Sequence, residues 1–235
     1  MTEQKMKYLK SFDIVFITLI MFGVAIKGST IGYLDLINGV ANIDENLTFS
    51  SMDDWITIGT ELVELAIVFG YLYFRKFDFS VWKFKFNWQS VAKGLLIYIL
   101  ASLLMDISSI IFGFNTFPLT FTGEFNMIRD LLSQIHFTTI PFSFLNGFFE
   151  EIFFLGICLS VKEEHIHKAL IYSLLVRISF HTYQGIASAS TIGIGIGLLF
   201  YVAYRKYSKD NLTPIIVAHI LSDIFGAGLL GFILY

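Results

Sequence analysis

The chain has 235 residues, 55% of them hydrophobic and 15% charged, with 26 phenylalanines and a mean hydropathy of +0.70. That composition excludes an ordinary soluble domain, which carries far more charge. The formal net charge of -3 carries little meaning, because where the charges lie matters more than their sum, and no nucleic-acid partner is expected. The single cysteine, Cys158, excludes an internal disulfide and a cysteine-based zinc cluster. The reading that follows is one all-α, polytopic transmembrane domain over residues 1–235, in contact with the lipid bilayer.

Crossing a bilayer takes about 20 apolar residues, and seven stretches qualify: 12–34, 56–74, 91–113, 136–160, 168–186, 189–206 and 213–234. The first lacks a small-residue cleavage site and is too long for a signal peptide, so it is expected to be a retained helix. Lys27 near its outer end is level with Glu61 and Glu64 in the second span, where mutual charge compensation is expected. The segment 78–90 mixes Trp82 and Trp88 with Lys83 and Lys85, a pattern suited to the headgroup layer. Asp106 lies in the third span. Residues 114–132, with Pro118, read as an external loop or interfacial segment. His165 and His167 fall in a charged loop with Glu163 and Glu164, which reads as solvated. A short turn around Gln184-Gly185 separates the fifth and sixth spans. In the sixth, Gly193 and Gly197 lie in an apolar run, where close helix packing is expected. Thr213-Pro214 is expected to supply the N-cap and first position of the seventh helix.

The basic residues set an orientation. Lys5, Lys7, Lys10, Arg75, Lys76, Lys83, Lys85, Lys93, Lys162, Lys168, Arg205, Lys206 and Lys209 fall on one side, and Arg129 alone on the other. By the positive-inside rule the N-terminus is cytoplasmic and the C-terminus external, in a multi-pass protein of the cell membrane. The acidic loop with Asp35, Asp44, Glu45, Asp53 and Asp54 is then outside.

Ionisable side chains deep in hydrocarbon are costly and mark function. Measured from the basic end of each helix at about 1.5 Å per residue, Glu150 lies about 18 Å in from Lys162, His181 about 20 Å from Lys168 and His219 about 15 Å from Lys209. Three helices thus present them at one depth. Asp223 follows His219 by four residues and Arg177 precedes His181 by four, so each pair shares a helix face. Glu150 and Glu151 are about 100° apart on their helix, so one faces the site and the other a structural partner. Arg177 is the only deep guanidinium, and a pairing with Glu151 is expected, Arg177 serving as counter-ion. Glutamate and histidine at one depth are the groups that activate water and stabilise an oxyanion. Glu150, His181 and His219 would equally make a zinc set with water in the open position, so a metal-free scheme and one with a single divalent metal both stand.

The stretches Phe148-Phe149-Glu150-Glu151-Ile152-Phe153-Phe154, Arg177-Ile178-Ser179-Phe180-His181 and His219-Ile220-Leu221-Ser222-Asp223 resemble the CPBP family, the CAAX-protease and bacteriocin-processing (ABI) family. The resemblance covers approximately 130–235, the catalytic core. It implies an intramembrane endopeptidase in which Glu150, Glu151, His181, His219 and Asp223 carry the chemistry. Glu150 would be the base that activates water, His181 would help bind that water, and His219 with Asp223 would stabilise the oxyanion. The family usually has Arg four residues after the second Glu, and here that position is Leu155. Leu155 supports an alternative, a non-catalytic or weakly active member acting in bacteriocin self-immunity or in regulation of a membrane protein. A transporter using Glu61, Glu64 and Asp106 is a third reading. A composition rich in Phe, Ile and Lys is that of a low-GC bacterium, so the expected substrate is a membrane-associated peptide or protein such as a pheromone or bacteriocin precursor.

Overall fold

The computed structural model describes residues 5–40, 50–113 and 135–228. Within them lie seven helices, which we number in chain order: α1 Ser11–Ile37, α2 Ser51–Phe74, α3 Trp88–Phe112, α4 Thr139–Ile157, α5 Ile166–His181, α6 Ile186–Tyr207 and α7 Thr213–Phe225. Five of them (α1, α2, α3, α4 and α6) are long and apolar enough to cross a membrane, while α5 has 16 residues and α7 13. The architecture is the expected all-α membrane bundle. No strand occurs among the described residues, only isolated bridges at Met6–Phe77 and Lys83–Asn211. The expected interfacial segment 114–132, the loop residues Asp44 and Glu45, and the end of the seventh span lie outside the described residues.

Local chemistry sets the helix ends. Ser50 caps α2: its hydroxyl accepts from the Asp53 amide at 3.2 Å, and Asp53 Oδ2 accepts from the Ser50 amide at 3.0 Å. Asn87 caps α3 through the Ser90 amide at 2.9 Å. At α7 the helix starts one residue earlier than expected: Leu212 is the N-cap and Thr213 the first helical residue. The capping oxygen is Asn211 Oδ1, which accepts from the Thr213 amide at 3.2 Å and also from the Lys85 amide at 2.8 Å. Asn211 thereby ties the α2–α3 connection to the start of α7. Trp82 turns into the protein, donating from Nε1 to Ser160 Oγ at 3.0 Å, whereas Trp88 is exposed.

Without a hydrophobic force between helices in lipid, association rests on packing and interhelical hydrogen bonds. Phe22 of α1 is the hub. Its ring centroid lies 5.5, 4.7 and 5.3 Å from those of Phe149, Phe153 and Phe154 on α4 and 4.9 Å from Phe180 on α5. Small residues let backbones close up. A Cβ at Gly147 of α4 would come within 3.0 Å of Ile220 on α7, next to the deep carboxylates. Gly193 and Gly197 set α6 against Ile178 and Leu174 of α5, the close packing expected of them. Two helices change pitch. α4 becomes a π turn at Ile152–Ile157, immediately after Glu151, and α6 does so at Thr191–Ile196 and Ala203–Tyr207. Such bulges recur at functional sites.

Gly193→Val should overpack the α5–α6 contact and lower stability by about 1–3 kcal/mol. Thermal unfolding in detergent would read this, and an unchanged midpoint would contradict the close approach.

Candidate active site

Four side chains meet in the interior of the bundle: Glu150 and Glu151 from α4, Arg177 from α5 and His219 from α7. All are buried, Glu151 completely. Glu151 Oε1 accepts from Arg177 Nη2 at 2.8 Å and from His219 Nδ1 at 2.7 Å. The carboxylate is acceptor-only, so the His219 ring carries a proton on Nδ1. The expected Arg177–Glu151 pair is therefore made, by one guanidinium nitrogen and not as a two-nitrogen fork. The second nitrogen, Nη1, lies 4.0 Å from Glu150 Oε2. The guanidinium is also sandwiched by aromatic faces, 4.0 Å from the Phe154 centroid and 5.7 Å from Phe200, a contact that favours Arg over Lys.

His219 Nε2, on the far side of the ring, faces two further carboxylates, Glu150 Oε2 at 3.9 Å and Asp223 Oδ1 at 3.6 Å. Asp223 is braced from α4, its Oδ2 accepting from Asn146 Nδ2 at 2.9 Å. Glu150 Oε2 and Glu151 Oε2 are buried oxygens with no hydrogen-bond partner among the described residues. Glu150 thus presents a bare oxygen beside a histidine nitrogen, while Glu151 is engaged on its other oxygen.

His181 ends α5. Its Nδ1 lies 2.8 Å from the Arg177 carbonyl, and a carbonyl only accepts, so Nδ1 donates and Nε2 keeps its lone pair. The tautomer that can bind a water proton or a metal is thereby fixed. The ring is half-buried and within electrostatic reach of His219 and Arg177. The Thr182–Gln184 turn that follows is held by α1: Ser29 Oγ accepts from the Tyr183 amide at 3.0 Å and is 2.9 Å from Thr182 Oγ1.

A zinc-sized ion has a donor set here. Glu150, Glu151 and His219 offer ligand atoms within 4.8 Å of one another, a count that suits a catalytic site with an open position. In this group Glu151 takes the place expected for His181. The Arg177 guanidinium, 2.8 Å from one carboxylate and 4.0 Å from the other, already supplies positive charge to both.

Sequence reasoning missed three neighbours. Asn146, four residues before Glu150, shares its helix face and could have been found by that spacing. Tyr183 lies within electrostatic reach of Glu150 and Asp223. Glu61, buried in α2, is within reach of Glu150, Asp223, Glu64 and His219, and its Oε2 has no hydrogen-bond partner among the described residues. Lys27, the neighbour expected for it, is exposed. These contacts join residues far apart in the chain, which no local pattern signals. Leu155, where the family usually has Arg, is packed in the core at 3% exposure.

Residues 132–225 match the sequence model of the family described as type II CAAX prenyl endopeptidase Rce1-like. No curated protein and no solved structure matches the chain. The matched segment spans α4 to α7 and contains every side chain of the cluster described above except Glu61. The matched segment, less than half of the 235 residues, is similar to CAAX-type endopeptidases of the CPBP family, which indicates a protease and implies a peptide or protein substrate in the membrane.

Arg177→Ala leaves Glu151 buried without its guanidinium counter-ion, so a stability loss of about 3–5 kcal/mol is expected. Unfolding in lipid nanodiscs measures it. Arg177→Lys should recover part of the loss, because Lys restores charge without the stacked planar group. If alanine proved as stable as wild type, the guanidinium would not be the counter-ion.

Proposed function

We propose that this protein is an intramembrane endopeptidase in which Glu150 activates the attacking water. One observation carries the reading: of two adjacent buried carboxylates, Glu151 is consumed by hydrogen bonds from Arg177 and His219, while Glu150 Oε2 accepts no hydrogen bond and lies 3.9 Å from His219 Nε2. The pair divides into an orienting group and a chemical group.

In the proposed reaction, water sits between Glu150 and His181 Nε2. Glu150 takes one proton as the water oxygen bonds to the scissile carbonyl carbon. Charge develops on the carbonyl oxygen, and His219, taken as the doubly protonated imidazolium among Glu150, Glu151 and Asp223, donates to it from Nε2–H. Glu151 and Asp223 hold that imidazole from either side, and Asn146 holds Asp223. The proton on Glu150 passes to the leaving nitrogen as the C–N bond breaks. Arg177 neutralises Glu151 throughout. A bound divalent ion at Glu150, Glu151 and His219 would supply Lewis-acid activation of the same water. The metal-free scheme is the primary reading, because the guanidinium already compensates both carboxylates.

The same geometry weighs on the non-catalytic alternative, whose support was Leu155. The guanidinium that the family carries on α4 is supplied here from α5, so Glu151 is not left bare. The substrate class we favour is a membrane-associated peptide precursor, reached from the side of the bundle rich in lysine and arginine, which we take as cytoplasmic.

The test is cleavage of a quenched fluorescent peptide library, with prenylated C-terminal peptides included, by protein in nanodiscs. Glu150→Ala should lower turnover by at least about 10²–10⁴-fold, and a chelator should leave wild-type turnover unchanged. Equal turnover by wild type and variant would refute the mechanism, and loss to the chelator alone would replace it with the metal scheme.

A further inference from the structure

A cleft of about 1440 Å³ lies at the basic end of the bundle, lined by the N-terminal arm, the start of α1 and the loop leading into α5. Six basic side chains converge on it: Lys5, Lys7, Lys10, Lys162, His165 and Lys168. The acids among the described residues that oppose them are few. Asp78 lines the wall, accepts from Ser80 Oγ at 2.7 Å and is within electrostatic reach of Lys5 and Lys7. Glu164 lies 4.0 Å from Lys162 and 3.5 Å from His165.

The arm carrying three of the lysines is strapped down. The Met6 amide donates to the Lys76 carbonyl at 2.9 Å, the Asp78 amide to the Met6 carbonyl at 2.8 Å, and the Leu9 amide to the Ser160 carbonyl at 2.6 Å. Leu9 itself is buried. Behind it, Asp13 accepts from Tyr71 Oη at 2.6 Å and from Arg75 Nε at 3.0 Å, locking the first turn of α1 to the end of α2. The charge is therefore held at a fixed place by backbone and buried pairs, which loosely tethered surface lysines do not achieve.

The floor is apolar, with Ile14, Val15 and Tyr172. From Val15 an apolar stripe continues along α1: Phe12, Val15, Phe16 and Leu19 are 72%, 44%, 38% and 65% exposed. Their spacing puts them on one helix face. A ligand filling both parts has an anionic head and a long hydrocarbon tail.

We propose that this cleft binds an anionic glycerophospholipid, its headgroup phosphate among the lysines and an acyl chain along the outer face of α1. Basic pockets between membrane helices suit such headgroups, each lysine adding modestly to affinity. An acidic peptide would satisfy the lysines and leave the stripe on α1 unused. The proposal is independent of the cleavage chemistry, because no residue of the cleft belongs to the Glu150–His219 cluster.

Native mass spectrometry of the detergent-solubilised protein tests it, with phosphatidylglycerol, phosphatidylcholine and inorganic phosphate as probes. Wild type should retain phosphatidylglycerol at least about tenfold over phosphatidylcholine. The triple variant Lys7→Gln, Lys162→Gln, Lys168→Gln changes exposed side chains only. It should bind phosphatidylglycerol about a hundredfold more weakly, roughly fivefold per lysine. The matching triple arginine variant should keep the affinity, which separates loss of charge from loss of fold. Equal retention of the two lipids, or undiminished binding by the glutamine variant, overturns the proposal. Displacement of the lipid by millimolar phosphate or by an acidic peptide also overturns it, leaving a general anion site.

Discussion

Glu151 has no exposure to solvent, and a lone carboxylate in that position would be among the costliest groups a membrane interior can hold. One of its oxygens accepts from Arg177 of α5 and from His219 of α7, so a single atom joins three helices. The cost of burying the charge is offset only when α4, α5 and α7 are in register, which makes the ion cluster a test of correct assembly. The same contacts fix the orientation of the His219 ring, with Nδ1 donating to Glu151, and leave Glu150 beside it with a bare oxygen. Assembly and chemistry thus depend on the same atom.

The rest of the molecule serves that geometry. Gly147 lets α7 approach α4 where the carboxylates sit, and Gly193 brings α6 against α5. The π turn after Glu151 changes the helix pitch and brings Phe154 under the guanidinium. The part of the chain outside 132–225 is more than scaffold. Phe22 of α1 packs between α4 and α5, Ser29 holds the turn that follows His181, and Glu61 of α2 adds a carboxylate near the reacting end of Glu150.

The membrane class and the helix order could be read in the sequence because hydropathy and bilayer thickness leave little choice. The deep ionisable groups were equally plain, since each stands out against apolar surroundings. The Arg177–Glu151 pair followed by elimination, as Arg177 is the only guanidinium at that depth. What was not readable is that His219 meets the same Glu151 oxygen as Arg177. A step of about 100° on a helix says that two residues differ, but not which of them a histidine on another helix will reach. Asn146, Tyr183 and Glu61 were hidden for a related reason: their roles come from neighbours on other helices. The partner of Trp82 was hidden because composition speaks to depth and not to contacts, and its indole bonds Ser160 of the chain segment after α4. The cap of α7 escaped because Thr213 obeys the local rule, while Asn211 also serves the α2–α3 connection.

The central claim is that Glu151 builds the site and Glu150 performs the chemistry. The most direct measurement compares Glu150→Gln and Glu151→Gln in nanodiscs for both thermal midpoint and turnover. The account predicts that Glu150→Gln abolishes turnover while moving the midpoint by no more than about 2 °C, and that Glu151→Gln lowers the midpoint by about 6–12 °C as well as reducing turnover. A stable, inactive Glu151→Gln beside a destabilised Glu150→Gln would reverse the roles and contradict the account.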